Sequence, residues 1–95
     1  MDPLYLYTRP GCHLCDDART VIEALLAERA AAGQAAPTVV ERDIETDDAW
    51  HHAFLNTIPV IELRGHRLEL AVSPARIRRL LAEALDEPAA ASAPA

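Results

Sequence analysis

Cys12 and Cys15 are the only two cysteines in the chain, and His13 and Leu14 separate them. A thiolate attacks disulfide sulfur, and a second thiol within reach can then close the pair. The motif follows Leu4-Tyr5-Leu6-Tyr7-Thr8, an uncharged run of strand-forming residues, and then Arg9-Pro10-Gly11, a turn signal. After it Leu14, Ala18, Val21, Ile22, Leu25 and Leu26 recur at threes and fours, the spacing of one helical face. The pair therefore opens a helix directly after a strand. Unpaired N–H groups and the dipole at a helix N-terminus favour a thiolate. Cys12, at the exposed lip, is the expected nucleophile, and Cys15, one turn in, the buried resolving thiol.

A bare C-x-x-C is only moderately specific, and strand-to-helix context strengthens the redox reading. As a structural disulfide, closing so short a loop gains only about 2 kcal/mol, and a reducing compartment opposes it. Inert core thiols fit poorly beside Gly11. A metal carrier, or an iron–sulfur carrier, remains the main alternative, yet metal sites normally need four ligands. No second cysteine pair exists, and His13, His51, His52 and His66 lack ligand-type spacing to the first. No metal ligand is assigned. A non-catalytic binding module of the same fold is a further alternative. Arg9 can stabilise a thiolate at Cys12, whereas Asp16 and Asp17 oppose it. His13 could assist proton transfer.

Ninety-five residues amount to one small domain. Nine arginines, no lysine and fifteen acidic residues give a net charge of −6, which disfavours nucleic acid and anionic membrane surfaces as partners. Arg76, Arg78 and Arg79 are too diluted by acids to make a nucleic-acid patch. No apolar run is long enough to span a bilayer, and Met1-Asp2-Pro3 shows no secretory pattern, so a cytoplasmic location is expected.

The elements that must position the cysteines follow in order. The first helix runs from about Cys12 or His13 to about Ala32, closed by Gly33. Thr38 to Ile44 reads as a second strand, and Thr46-Asp47-Asp48 caps a short helix through about Ala53. Trp50 and Phe54 share a face of that helix and suit core packing. Ile58 to Leu63 is a third strand, joined through Arg64-Gly65-His66 to an edge strand over Arg67 to Leu70. Ser73-Pro74 starts a last helix whose buried face is Ile77, Leu80, Leu81, Ala84 and Leu85. Residues 1–86 form the expected domain, and the Ala- and Pro-rich 87–95 a disordered tail. The order β-α-β-α-β-β-α implies an α/β fold: a four-stranded mixed sheet in a three-layer sandwich.

With Tyr7-Thr8-Arg9-Pro10-Gly11-Cys12-His13-Leu14-Cys15 and Thr57-Ile58-Pro59 in place, the chain resembles the thioredoxin fold over roughly residues 4–86. Within that fold it is similar to small bacterial glutaredoxin-like proteins. The resemblance implies a thiol–disulfide oxidoreductase in which Cys12 and Cys15 are catalytic. It implies a cis Pro59 facing the cysteines, with the backbone N–H and C=O of Ile58 free to pair with substrate. Arg9, His13, Thr57, Ile58 and Pro59 would bind substrate. The implied partners are protein or low-molecular-weight disulfides. Glutathione, or a thioredoxin reductase-type system, would restore the thiols, and no cofactor beyond the Cys12–Cys15 pair is needed. The family's glutathione users carry Gly-Gly-x-Asp about ten residues after the proline. Here Leu68-Glu69-Leu70-Ala71-Val72 stands there, and its bulk and negative charge oppose an anionic tripeptide.

Overall fold

The computed structural model describes residues 2–86. The first strand, β1 (Leu4–Thr8), leads through a tight turn into α1 (His13–Ala31). Next come β2 (Val39–Asp43), a single 3-10 turn over Ile44–Thr46, and α2 (Asp48–Phe54). The chain then forms β3 (Val60–Leu63), β4 (His66–Leu68) and α3 (Pro74–Leu85).

The sheet order is β2-β1-β3-β4. β1 pairs in parallel with β2, and antiparallel with β3, which pairs antiparallel with β4. A parallel β1–β2 pair requires a crossover, and α1 supplies it. The β3–β4 hairpin closes in two residues. Arg64 and Gly65 both take positive φ, 51° and 85°, which matches the type I′ turn whose twist suits flanking strands.

Side chains alternate across the sheet and so divide the core into two clusters. Leu4, Leu6, Ile61 and Leu63 face α1 and α3, meeting Ile22, Leu25, Ile77 and Leu81. Tyr7 and Val60 point the opposite way, against Ile44 and Phe54, with Tyr5 and Trp50 half-buried beside them. The result is the three-layer sandwich read from the element order. Ser73 caps α3 by accepting from the Arg76 backbone N–H, and Pro74 occupies its first turn.

Four local expectations change, and one is that the third strand begins at Val60 rather than Ile58, since Pro59 cannot donate to a ladder. Leu14 is not on the buried face of α1 but 51% exposed, because the first turn of α1 overhangs the sheet end where the cysteines lie. Cys15 and Arg29 extend that buried face instead. The edge strand begins one residue earlier and ends at Leu68, since Leu70 has φ 48° and leaves extended geometry. The 3-10 turn after β2 is additional; the Asp43 carboxylate caps it by accepting from the Glu45 N–H at 2.9 Å. The expected tail over 87–95 lies outside the described residues, as does Met1.

Arg29 joins α1 to the end of α3. Its guanidinium donates to both carboxylate oxygens of Asp86 and, through Nε, to the Ala35 carbonyl at 2.6 Å. Hydrogen bonding from Arg29 holds the Asp86 carboxyl below its usual range.

Candidate redox site

β1 ends at Thr8, and Gly11 at φ 78° turns the chain back so that α1 starts beside the sheet. Cys12 is the N-cap of α1. The Cys15 backbone N–H donates to Cys12 Sγ at 3.1 Å, so sulfur occupies the place where a capping oxygen usually sits. An N–H and a helix N-terminus so placed favour negative charge on a sulfur at this position once the pair is reduced. Cys12 is half-buried and Cys15 is 1% exposed. Their sulfurs lie at disulfide distance, with Cα atoms 5.2 Å apart. A partly open sulfur is thus backed by a second sulfur that is closed off from solvent.

Strand register brings a second segment to the same end of the sheet. Tyr7 pairs with Val60, so one step further along the antiparallel pair places Thr8 opposite Pro59. The Leu70 N–H donates to the Thr57 carbonyl at 2.8 Å, and the Ala71 N–H to the Pro59 carbonyl at 2.7 Å. The Ile58–Pro59 peptide is cis. Ile58 belongs to the same apolar cluster as Cys15, with Cys12 packed against it. The fold therefore brings Cys12, Cys15 and Ile58 together, with Thr57 and Pro59 on the adjoining loop.

The backbone of Ile58 is only half as free as the resemblance implies. Its N–H donates to the Phe54 carbonyl at 3.1 Å, because the end of α2 leaves carbonyls that need donors and the chain folds back onto them. The Thr57 N–H does the same at 2.9 Å. The Ile58 carbonyl accepts none of the hydrogen bonds made by the described loops and turns. Arg9 does not reach toward Cys12 unopposed: its guanidinium sits 2.8 Å from the Glu45 carboxylate. His13 is exposed on the lip and makes no side-chain hydrogen bond among the described residues.

Two polar networks flank the site and have no local signature in the sequence. Beneath the cysteine turn, the Thr8 hydroxyl donates to Glu41 Oε2 at 2.9 Å, and Arg19 grips Glu41 with two N–H groups at 2.7 Å each. Arg19 also donates to Asp16 at 2.9 Å. The bonds from Arg19 hold the Glu41 carboxyl below its usual range, outweighing the upward push of burial. A cleft of about 160 Å³ opens there, edged by Arg9, Gly11, Asp16 and Glu41. On the α2 face, the Tyr7 hydroxyl donates to Glu62 at 2.9 Å and accepts from Arg42 at 2.8 Å. Burial, and next the bond to Glu62, push the Tyr7 phenol up. The Arg42 guanidinium also lies 3.7 Å from the Tyr5 ring centroid. Among the described residues, no three His, Cys, Asp or Glu side chains converge on a point that could hold a metal ion.

Residues 3–86 match the family described as Glutaredoxin-like domain (DUF836). The chain belongs to this glutaredoxin-like family. A solved structure agrees: the X-ray structure of a structural-genomics target protein, XcR50 from X. campestris, is similar with a TM-score of 0.66 and 29% sequence identity. The match covers 85% of this chain and 97% of that one. No curated protein matches the chain significantly. The mixed four-stranded sheet with its helices is the thioredoxin-like fold, and this glutaredoxin-like domain carries its cysteine pair at disulfide distance. No helix among the described residues is long and apolar enough to cross a membrane.

Proposed function

We propose that this glutaredoxin-like domain is a thiol–disulfide oxidoreductase acting through Cys12 and Cys15. The observation that carries the proposal is the asymmetry of the pair: Cys12 is half-open and bonded from the Cys15 N–H, while Cys15 lies buried behind it. In the reduced protein the Cys12 thiolate attacks one sulfur of a substrate disulfide. A Cys12–substrate disulfide forms, and the other substrate sulfur leaves as a thiolate that takes a proton from water. Cys15, deprotonated, then attacks Cys12 Sγ. The Cys12–Cys15 disulfide forms and the second substrate sulfur departs. Two electrons have passed from protein to substrate.

The substrates are protein or low-molecular-weight disulfides in a reducing cytoplasm, and two thiols or one dithiol must restore the pair. Glutathione and a thioredoxin reductase-type system are the two classes of reductant. The pair itself serves as the redox centre, with no added cofactor. The unengaged Ile58 carbonyl supports main-chain pairing, in which an extended substrate would donate an N–H to it as an added strand does. Thr57 and Pro59 would shape the same edge, Arg9 would offer a cation when Glu45 releases it, and His13 would meet substrate from the exposed lip.

Reduction of insulin disulfides with dithiothreitol as electron source tests the proposal. Wild type is expected to accelerate the reaction and Cys12→Ser to abolish the acceleration. Equal rates from the two proteins would defeat it.

A further inference from the structure

Leu70 combines two features that fold stability does not explain. It adopts the left-handed backbone region at φ 48°, where a side chain's Cβ crowds its own carbonyl. Its side chain is nevertheless 52% exposed, so the core gains little from it. Next to it Ala71 is fully buried and Val72 is 44% exposed, an out-in-out pattern. The segment is tied down by three backbone hydrogen bonds: Leu70 to Thr57, Ala71 to Pro59, and the Val72 N–H to the Leu70 carbonyl at 2.7 Å. Two large apolar side chains are thereby held outward beside the Thr57–Pro59 segment. Leu14, between the two cysteines, is also 51% exposed.

The charges around this rim argue for what covers it. Arg9 is engaged by Glu45. Glu69 is exposed beside Leu70 and Asp17 beyond Cys15, whereas Asp16 is engaged by Arg19. An acidic ligand meets these two acids and finds Arg9 already paired, while an apolar or neutral chain meets none of that penalty. The free Ile58 carbonyl adds a main-chain acceptor, which suits an extended polypeptide.

Resting on the oxidoreductase reading, we infer that Leu70, Val72 and Leu14 form an apolar subsite. It selects polypeptide disulfides that carry an apolar residue next to the attacked cysteine over those that carry a polar one. The left-handed Leu70 backbone is the device that presents the largest part of that surface.

The test uses the full chain, reduced beforehand, in single turnovers with two disulfide-linked peptide dimers. The dimers are identical except for leucine or serine beside the cysteine, and bis(2-hydroxyethyl) disulfide serves as a neutral reference. Wild type is expected to reduce the leucine dimer about tenfold faster than the serine dimer, in keeping with partial burial of one leucine side chain. Leu70→Gly is expected to bring the ratio to about two or less, and Leu70→Asn, which also tolerates this backbone, to do the same. Val40→Thr, at an exposed apolar position on β2, should keep the wild-type ratio. A wild-type ratio near one, or a tenfold ratio that survives both Leu70 variants, overturns the subsite while leaving the oxidoreductase reading intact. Failure of wild type to reduce even the neutral reference overturns that reading, and the subsite with it.

Discussion

Replacing Glu45 with glutamine removes the charge that holds Arg9, a cation beside the cysteine turn that a negatively charged disulfide could use. The pair is 2.8 Å long, and its side chains are 41% and 44% exposed. Ion pairs so open to water contribute about 0.2–1 kcal/mol. An anionic substrate that recruits Arg9 must first displace Glu45 and forfeit that amount. At 1.4 kcal/mol per factor of ten, Glu45→Gln should therefore raise the second-order rate constant for oxidised glutathione by about 1.4- to 5-fold. Neutral bis(2-hydroxyethyl) disulfide should show no comparable gain. Stopped-flow single turnovers of the reduced protein, at about 0.05 M and 0.5 M salt, separate the cases because screening shrinks any effect carried by exposed charge. Arg9→Ala in the otherwise native chain should change the oxidised glutathione rate by less than about twofold, since Arg9 is already engaged. An equal gain for both disulfides, or a gain that salt leaves untouched, would refute this reasoning.

Arg29→Met should destabilise the fold by about 2–3 kcal/mol in urea denaturation, since it removes charge-assisted bonds from a guanidinium that is nearly buried. Asp86→Asn should cost less, about 0.5–1 kcal/mol, because its partly exposed carboxylate loses only part of a screened pair. The folded-state pKa of Asp86 is depressed, so its contribution is present above the unfolded value near about 4 and fades as pH falls further. The melting-temperature gap between wild type and Asp86→Asn should accordingly hold from pH 7 to about pH 4 and narrow below it; a gap that stays constant as acid is added would contradict the assignment. Ser73→Ala should cost about 1 kcal/mol through loss of the α3 cap, and Ser73→Gly less, measured by the same denaturation.

What the sequence made legible was local. β1, the start of α1 at Cys12, the Arg64-Gly65 turn and the Ser73-Pro74 cap each depend on neighbours within a few positions. The central site followed from the same economy, since strand, turn, C-x-x-C and helix are contiguous. Periodicity alone assigned Leu14 to the core, because it counts turns of a helix and carries no information on where the sheet beneath stops. The engaged Ile58 N–H depends on how α2 ends four residues earlier, and the left-handed Leu70 on how β4 breaks its pairing. The Arg29–Asp86 tie spans 57 positions, and the Thr8–Glu41 bond 33. Such partners are chosen by tertiary packing, which leaves no spacing rule in the chain.

The most direct measurement of the redox role is the intact mass of Cys15→Ser after mixing its reduced form with a disulfide peptide, followed by digestion to locate any adduct. The expected result is one peptide per protein, attached at Cys12 and released by dithiothreitol, with no such adduct on Cys15 in Cys12→Ser. An unmodified Cys15→Ser protein, or equal labelling of both variants, would contradict the assignment of Cys12 as the attacking sulfur.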